Sequence, residues 1–328
     1  MKTNPAVQEN KPIGAASKPS LGRQLRKQLT IQIFVWLGMA FLLVFSFTPM
    51  FGVIMAFKDY KISTGIAGIF TSEWVGLKYF HELVNDYRFP MLVRNTLAIS
   101  LLKLVFAFPV PILLAIMITE VKQAVIKRLV QTFSYLPHFI SWVVVVGIAY
   151  AFFSTEIGII NHALITLGII HEPLTVLTDP DSFWGLAVGT AVWKEAGWWT
   201  IIFLAAIAGI DPGLYEAAQL DGAGRLRRIW HVTLPGMRGP IVVVLILSIG
   251  SMLGGGLVGS NFEQSMLLGN TINNDKSQII QTYAFNVGLA QGRFAFATAI
   301  DLVQSIIAVF LILTSNFIAK RVSGTGLY

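Results

Sequence analysis

The sequence has no cysteine, which excludes disulfides and thiolate metal sites and leaves the redox compartment unmarked. It is also short of charge. Only 12% of its 328 residues are Asp, Glu, Lys or Arg, about half the roughly 25% of a soluble domain, while 55% are hydrophobic. A soluble fold so poor in charge would have to hide nearly all of its surface, so the chain reads as a membrane protein.

Other absences narrow the chemistry. No GxxxxGK[ST] phosphate loop and no HExxH pair is present, so the chain is not expected to hydrolyse ATP by that route or to hold zinc in that way. The five histidines are scattered, and His138, beside Pro137 at the entrance of a span, reads as structural rather than as a proton relay. No constellation of acid, base and nucleophile stands out, and no catalytic, metal or cofactor site is expected in this chain. Residues 1–30 lack an apolar stretch followed by a small-residue cleavage site. They carry Pro5, Pro12, Pro19 and six basic residues and read as a basic cytoplasmic tail, with a short helix around "LGRQLRKQL".

What is present is a series of long apolar runs. A helix needs about 20 apolar residues to cross the hydrocarbon core, and six candidates occur, at roughly 31–57, 93–118, 129–153, 183–210, 240–262 and 296–319. The expected fold class is an all-α membrane protein with six transmembrane helices. The third and fifth runs have ragged edges. Gly250, Gly254, Gly255, Gly256 and Gly259 in the fifth permit close helix contact and make a bend plausible. Basic residues orient the bundle. With the N-terminus inside, 15 Lys/Arg fall in cytoplasmic segments and 6 in outer ones, so both termini are expected in the cytoplasm. The net charge of +7 is then membrane topology, and nucleic acid is not an expected partner. Residues 58–92 and 263–295 form long outer segments, with "GLKYFHELV" reading as a surface helix. They are either a landing surface for an external protein or caps over the helix ends.

Charges inside spans are costly and often functional. Lys194 and Glu195 are neighbours, about 100° apart around a helix, and are not expected to pair simply. Lys194 with Trp193, Trp198 and Trp199 makes a cationic aromatic patch, suited to a translocation pathway for an acidic sugar or to an interfacial belt with salt bridges between helices. Asp301 either pairs with Lys103 or Lys194, lines the pathway, or meets a sister subunit.

The stretch "YEAAQLDGAGRLRRIWHVTLP", residues 215–235, lies between two apolar runs on the cytoplasmic side. Asp211-Pro212 is a strong helix start, with a side-chain acceptor at the cap and proline at the first helical position. Leu214, Ala217 and Ala218 share a face. Asp221-Gly222 supplies a turn, and Leu226, Ile229 and Trp230 mark a second amphipathic stretch carrying Arg225, Arg227 and Arg228 and closed by Pro235. Small alanines allow another backbone close, so the block is either a knob for a partner's groove or a plain interfacial connection.

Its residues decide between these by resemblance. Glu216, Ala217 and Ala218, Gly222 four residues on, then nine residues before Val232, Leu234 and Pro235, resemble the EAA loop of permease subunits of bacterial binding-protein-dependent ABC importers, with Val232 in place of the usual isoleucine. The likeness extends over roughly residues 90–328, and "AVWKEAGWWTIIFLAAIAGIDPGLYEAAQLDGAG" is similar to the branch importing oligosaccharides or polysaccharides. Asp301 departs from the small residue expected there. The resemblance implies a type I ABC importer permease fold, with the first transmembrane helix and outer loop at 31–92, a permease core at 93–320, a coupling loop at 211–239 and a short tail at 321–328. It implies that Glu216, Ala217, Ala218, Asp221, Gly222, Arg225, Leu234 and Pro235 couple to an ATPase subunit, which supplies the ATP and Mg. Further implied partners are a homologous second permease, two ATPase copies, an external solute-binding protein and a carbohydrate. Lys194 tips the substrate toward uronates such as alginate. A permease of the same superfamily for another solute is the alternative, and a secondary transporter should show an internal repeat.

Overall fold

The computed structural model describes residues 28–250, 253, 261–324 and 326. The basic tail, with its expected short helix, lies outside the described residues up to Arg26 and Lys27, as do Gly254, Gly255, Gly256 and Gly259. Among the described residues every regular element is helical, apart from one isolated bridge between Lys58 and Trp74. The chain divides into two units, one ending at Val53 and the other beginning at Ile54.

In the first unit α1 (Leu29–Leu42) runs on through a wider π-helical turn at Leu43–Phe47. The second unit contains α2 (Lys78–Asn85), α3 (Phe89–Leu102), α4 (Pro109–Glu120), α5 (Ala124–Tyr135), α6 (Trp142–Phe153) and α7 (Ile159–Thr166). It continues with α8 (Phe183–Ala208), α9 (Pro212–Leu220), α10 (Arg225–Arg228), α11 (Arg238–Gly250), α12 (Asn261–Leu268), α13 (Asn274–Ser277), α14 (Ile280–Phe285) and α15 (Phe294–Ser323). The surface helix read in "GLKYFHELV" is α2.

Four helical stretches are long and apolar enough to cross a bilayer unbroken: Leu29–Phe57, Phe89–Glu120, Pro180–Ala208 and Phe294–Arg321. The third expected span is bent within its length, and the fifth is preceded by a bend at 236–238, ahead of its glycines. Ala124–Phe139 meets Trp142–Phe153 at 106°, and Arg225–Gly236 meets Arg238–Gly250 at 63°. Counting each pair as one span gives six. Pro137 marks the first break, where a 3-10 turn at Leu136–Phe139 replaces α-helix, as proline removes a backbone donor and cannot continue the ladder. Gly250 lies against Ile312 of α15.

Three apolar clusters hold the second unit together. At one end Ala56, Tyr79, Leu83 and Leu92 pack with Tyr283, Val287, Phe296 and Ile300, so residues 54–92 share a core with α14 and α15. A middle cluster joins Ile99, Val146, Phe183, Leu186 and Leu268. At the opposite end Ala115 and Ile116 of α4 meet Phe203 and Ile207 of α8, with Met237 and Val244. In lipid such contacts act through packing rather than through exclusion of water.

The first end is also pinned by charge. Arg88 grips Asp86 with Nε to Oδ1 at 3.1 Å and Nη2 to Oδ2 at 3.0 Å, and its Nη2 donates to the Tyr283 hydroxyl at 2.8 Å. That hydroxyl donates to Asp86 Oδ2 at 2.5 Å, and the guanidinium lies over the Tyr283 ring, 4.5 Å from its centroid. Burial works against the Asp86 carboxylate, but hydrogen bonds from Arg88 and Tyr283 outweigh it and hold its carboxyl below the usual range. Burial first, and the bond to Asp86 second, push the Tyr283 phenol up to about 12.

The signs follow from linkage. Asp86 has a depressed folded pKa, so its contribution is present above the ordinary carboxylate value and is lost as pH falls through the folded one. Tyr283 has a raised folded pKa, so its contribution is present below the ordinary value of 10.0 and is lost as pH rises through about 12. Thermal melting of the purified protein between pH 2 and 8 should show a smaller acid-side loss for Asp86→Asn than for the parent, together with a lower Tm at pH 7. An unchanged acid limb would remove Asp86 from the cluster's energetics.

Candidate functional site

The loop from 211 to 239 is built by capping chemistry. Asp211 Oδ1 accepts from Gly213 N at 2.9 Å, and Pro212 occupies the first turn of α9. The helix ends in a Schellman motif: Ala223 N bonds Ala218 O at 2.9 Å and Gly222 N bonds Gln219 O at 3.0 Å. Closing both bonds needs a left-handed residue, and Gly222 supplies it with φ +74°. The spacing from Ala218 to Gly222 is therefore the spacing of a helix stop. No heavy atom lies within 4 Å of a Cβ built on Gly222, so the restriction at this position is in the backbone and not in the space around it.

After the turn, α10 widens into a π-helical turn at Ile229–Thr233 and ends at Leu234–Gly236. Tyr215 Oη and Thr233 Oγ1 are 3.1 Å apart, which ties the two limbs of the elbow. Leu234 is half-buried against the cluster that includes Met237, Phe203 and Ile207. Arg225 Nε approaches Glu120 Oε2 at 3.8 Å, an exposed pair that contributes little but places the loop beside the end of α4. Asp221 and Pro235 are exposed.

The face expected from Leu214, Ala217 and Ala218 faces outward. Leu214 and Ala217 are exposed and Ala218 is half-buried, while Tyr215 turns inward. Helical spacing identified the apolar stripe but not which way it faced, and it gave no role to Tyr215, whose partner is 18 residues away. Glu216 is exposed and makes no hydrogen bond or ion pair among the described residues. Leu220 is 89% exposed and Leu226 74%, so the elbow presents large apolar side chains around an unpaired carboxylate.

The pathway candidates are divided by the fold. Trp193 and Trp198 reach the surface of the chain, Trp199 is half-buried, and Lys194 and Glu195 are buried. Lys194 and Glu195 do pair, with Nζ 3.1 Å from Oε1, contrary to the expectation from their helical angle. The break at Pro137 is the reason: it lays the His138 segment against α8, where Lys194 Nζ donates to His138 O at 2.8 Å and Glu195 Oε2 meets His138 Nδ1 at 2.8 Å. Two long side chains thus curl toward one anchoring residue. The His138 ring stacks on Trp198 at 4.4 Å, and the Lys194 ammonium lies 5.5 Å from the Trp142 ring centroid. Lys194, expected as a cation beside the tryptophans, keeps its charge inside this cluster. Gly197 lets α8 cross α5 closely, since a Cβ there would meet Ser134 O at 1.8 Å. Trp193 stands between two cavities of about 610 and 460 Å³, the larger bounded by α6 and α8 and the smaller by α5 and α8.

Asp301 meets neither proposed lysine. The Lys103 amine donates to Asn261 Oδ1 at 2.6 Å and to Gln264 Oε1, and Lys194 is taken by Glu195. Asp301 is exposed on α15, and its carboxylate has no hydrogen bond or ion pair among the described residues. The amide partners of Lys103 lie 158 and 161 residues away, beyond the reach of any local pattern.

A helical bundle that breaks two of its spans, with a capped and exposed elbow between α8 and α11, defines a class. Residues 107–323 match the family described as binding-protein-dependent transport system inner membrane component, and the chain belongs to that family. It is therefore an integral inner-membrane component of a transport system. It is similar to Protein LplB of Bacillus subtilis (strain 168), 41% identical over 328 residues covering all of both chains. The polygalacturonan/rhamnogalacturonan transport system permease protein YteP of the same organism is 41% identical over 305 residues, 93% of this chain and 92% of that one. Among solved structures, a chain of the bacterial alginate ABC transporter, in complex with an alginate pentasaccharide-bound periplasmic protein, superposes with a TM-score of 0.83. It is 34% identical, over 94% of this chain and 99% of that one.

The buried pair on α8 yields a test. Removing one partner of a buried ion pair commonly costs about 3–5 kcal/mol, whereas replacing both by apolar groups is often neutral. Glu195→Leu should lower the Tm of the purified protein markedly, and Lys194→Met with Glu195→Leu should recover most of that loss. Equal melting of the single and double variants would show that the pair is not coupled.

Proposed function

We propose that this chain is the permease subunit of an ATP-driven importer that moves a carbohydrate, an oligosaccharide or polysaccharide containing uronate residues, across the cytoplasmic membrane. The observation that carries the substrate class is the full-length likeness to permeases of saccharide systems. The YteP system is named for polygalacturonan and rhamnogalacturonan, and the transporter whose chain superposes handles alginate. Polygalacturonan and alginate are both polyuronates.

In this reading α9 and its elbow are the coupling helix. The exposed Leu214, Ala217 and Leu220 enter a cleft of a separate ATPase subunit, and Glu216 meets a cation there. ATP and Mg bind to that partner, two copies of which act on two permeases, this chain and a homologous one. Closure of the ATPases pushes the elbow, and the Tyr215–Thr233 bond makes its limbs move together. The displacement passes through Met237 and Leu234 to Phe203 and Ile207, and so to α8, which carries Trp193 and Trp198 on the pathway side. Asp301, a carboxylate on an outward face of a span, is too costly to leave against lipid and faces the second permease or the water-filled path. Both termini lie in the cytoplasm, and an external solute-binding protein delivers the sugar to the opposite end, where α2, α13 and α14 gather.

Two measurements test this. Reporter fusions after residues 75 and 170 should read external, and one after 225 internal; an external reading at 225 would overturn the orientation. Glu216→Ala removes a charge-assisted hydrogen bond of about 1.5–3 kcal/mol, so co-purification of the ATPase should weaken roughly tenfold or more. Gly222→Val should uncouple ATP hydrolysis from uptake, while Gly222→Asn, which tolerates left-handed angles, retains more transport. Normal ATPase retention and uptake in both Glu216→Ala and Gly222→Val would sink the coupling assignment.

A further inference from the structure

At the end of the second unit away from residues 211–239, a pocket of about 290 Å³ opens between α12, α13, α14 and the turn after α14. Its lining is more polar than that of the two cavities beside Trp193. Ser265, Thr271, Asn274, Ser277, Gln278 and Asn286 surround it, and no acidic, basic or histidine side chain lines it.

Two neighbouring residues build the wall and are committed to it. Asn270 donates to Leu177 O at 2.9 Å and accepts from Ile272 N and Asn273 N. Thr282 Oγ1 exchanges hydrogen bonds with the backbone of Ile279. The six lining side chains are not committed. Ser265 is only 6% exposed, and its hydroxyl has no partner. Buried polar groups in folded proteins are otherwise almost always satisfied. The side chains of Thr271, Asn274, Ser277, Gln278 and Asn286 likewise make no hydrogen bond among the described residues. Ser277, itself 1% exposed, stands across from Gly269, where a Cβ would come within 3.0 Å of its hydroxyl. The floor is rigid, since α12 is held one residue before Ser265 by the bonds of Gln264 to Lys103, Thr190 and Ala187 O.

Free hydroxyls and amides around a small cavity, with no charge, match a ligand whose surface alternates donors and acceptors at short spacing. A pyranose ring has that surface. The volume is at the lower end of the roughly 300–1,000 Å³ of ligand pockets, enough for one ring and too small for a chain. We propose that this pocket is a saccharide subsite that takes one sugar ring through its hydroxyl groups, without reading its carboxylate, as the oligosaccharide enters the permease from the outer side. The proposal rests on the carbohydrate reading above and adds a place and a chemistry to it.

The test uses the complete transporter with its binding protein in proteoliposomes. The probes are radiolabelled trisaccharides of galacturonate and of mannuronate, and their carboxyl-reduced neutral counterparts. Ser265→Val and Asn286→Leu remove hydrogen-bonding groups, and Ser265→Thr and Asn286→Gln, which match those variants in bulk, keep them. Import of whichever probes the parent carries should fall about tenfold or more, one decade of interaction, in the first pair and recover in the second, to the same extent for acidic and neutral sugars. Assembly is checked by size-exclusion of the purified complex, and Ser277→Ala, which only deletes a hydroxyl, gives the same reading if Ser265→Val fails to assemble. Parental import by the assembled apolar variants, or a loss confined to acidic sugars, would overturn the subsite and leave the carbohydrate reading standing. If the parent imports none of the probes, the carbohydrate reading falls and the subsite falls with it.

Discussion

The bilayer offers no partner to a backbone group released from a helix, and the rest of this structure is arranged around one place where a helix is released. The chain turns through 106° near residue 140, which leaves the carbonyl of His138 without a helical partner. Lys194 takes that carbonyl, Glu195 takes both the lysine and the histidine ring, and Trp198 stacks on the ring. One broken turn is thus repaid by four side chains, three of them from a single stretch of α8. This fixes α8 against the break, and α8 is the helix that carries Trp193 between the two large cavities and continues toward the loop at 211–239. The Gly197–Ser134 crossing allows the same alignment, because it lets the backbones approach closely enough for the side chains to reach.

A second buried lysine is handled differently. Lys103 has two amide oxygens from α12 as hydrogen-bond partners, where Lys194 has a carboxylate. Neutral acceptors satisfy the donors of a lysine amine, so this side chain pins the turn after α3 to α12, and Gln264 extends it to α8 through Thr190 and the Ala187 carbonyl. The two lysines therefore clamp α8 at separate levels.

How much of this could be read from the sequence depends on the range of each interaction. The elbow at 211–235 was legible because its determinants are local: Asp211 caps, Pro212 starts, and Gly222 stops, all within a few residues of what they bond. The span count was legible from length, but the bends were not: one falls inside the third run and the other just before the fifth, ahead of its glycines. What local rules hid was anything settled by a distant element. The 100° separation of Lys194 and Glu195 is correct for an isolated helix and fails here because His138, 57 residues earlier, draws both side chains to one point. The same holds for Tyr215, whose inward turn is set by Thr233, and for Asp301, whose exposure follows from which face of α15 the core at Phe296 and Ile300 takes.

The placement of unsatisfied polar groups then divides the molecule by task. In the middle, Lys103, Lys194 and Glu195 are paired, while the Trp199 indole N–H and the Gln304 amide oxygen have no hydrogen-bond partner among the described residues. On the elbow the carboxylate of Glu216 stands free on a capped backbone, and under the proposed coupling role its partner belongs to another subunit. At the opposite end the free groups are neutral, Ser265 and its neighbours, on a helix pinned by Lys103. A charge left open suits a permanent protein partner, because charge-assisted bonds are strong and directional. Neutral hydroxyls and amides left open suit a ligand that has to be released, since each bond exchanges with water at little net cost. Under the two proposals, the chemistry of the unpaired groups follows the length of time each end keeps its partner.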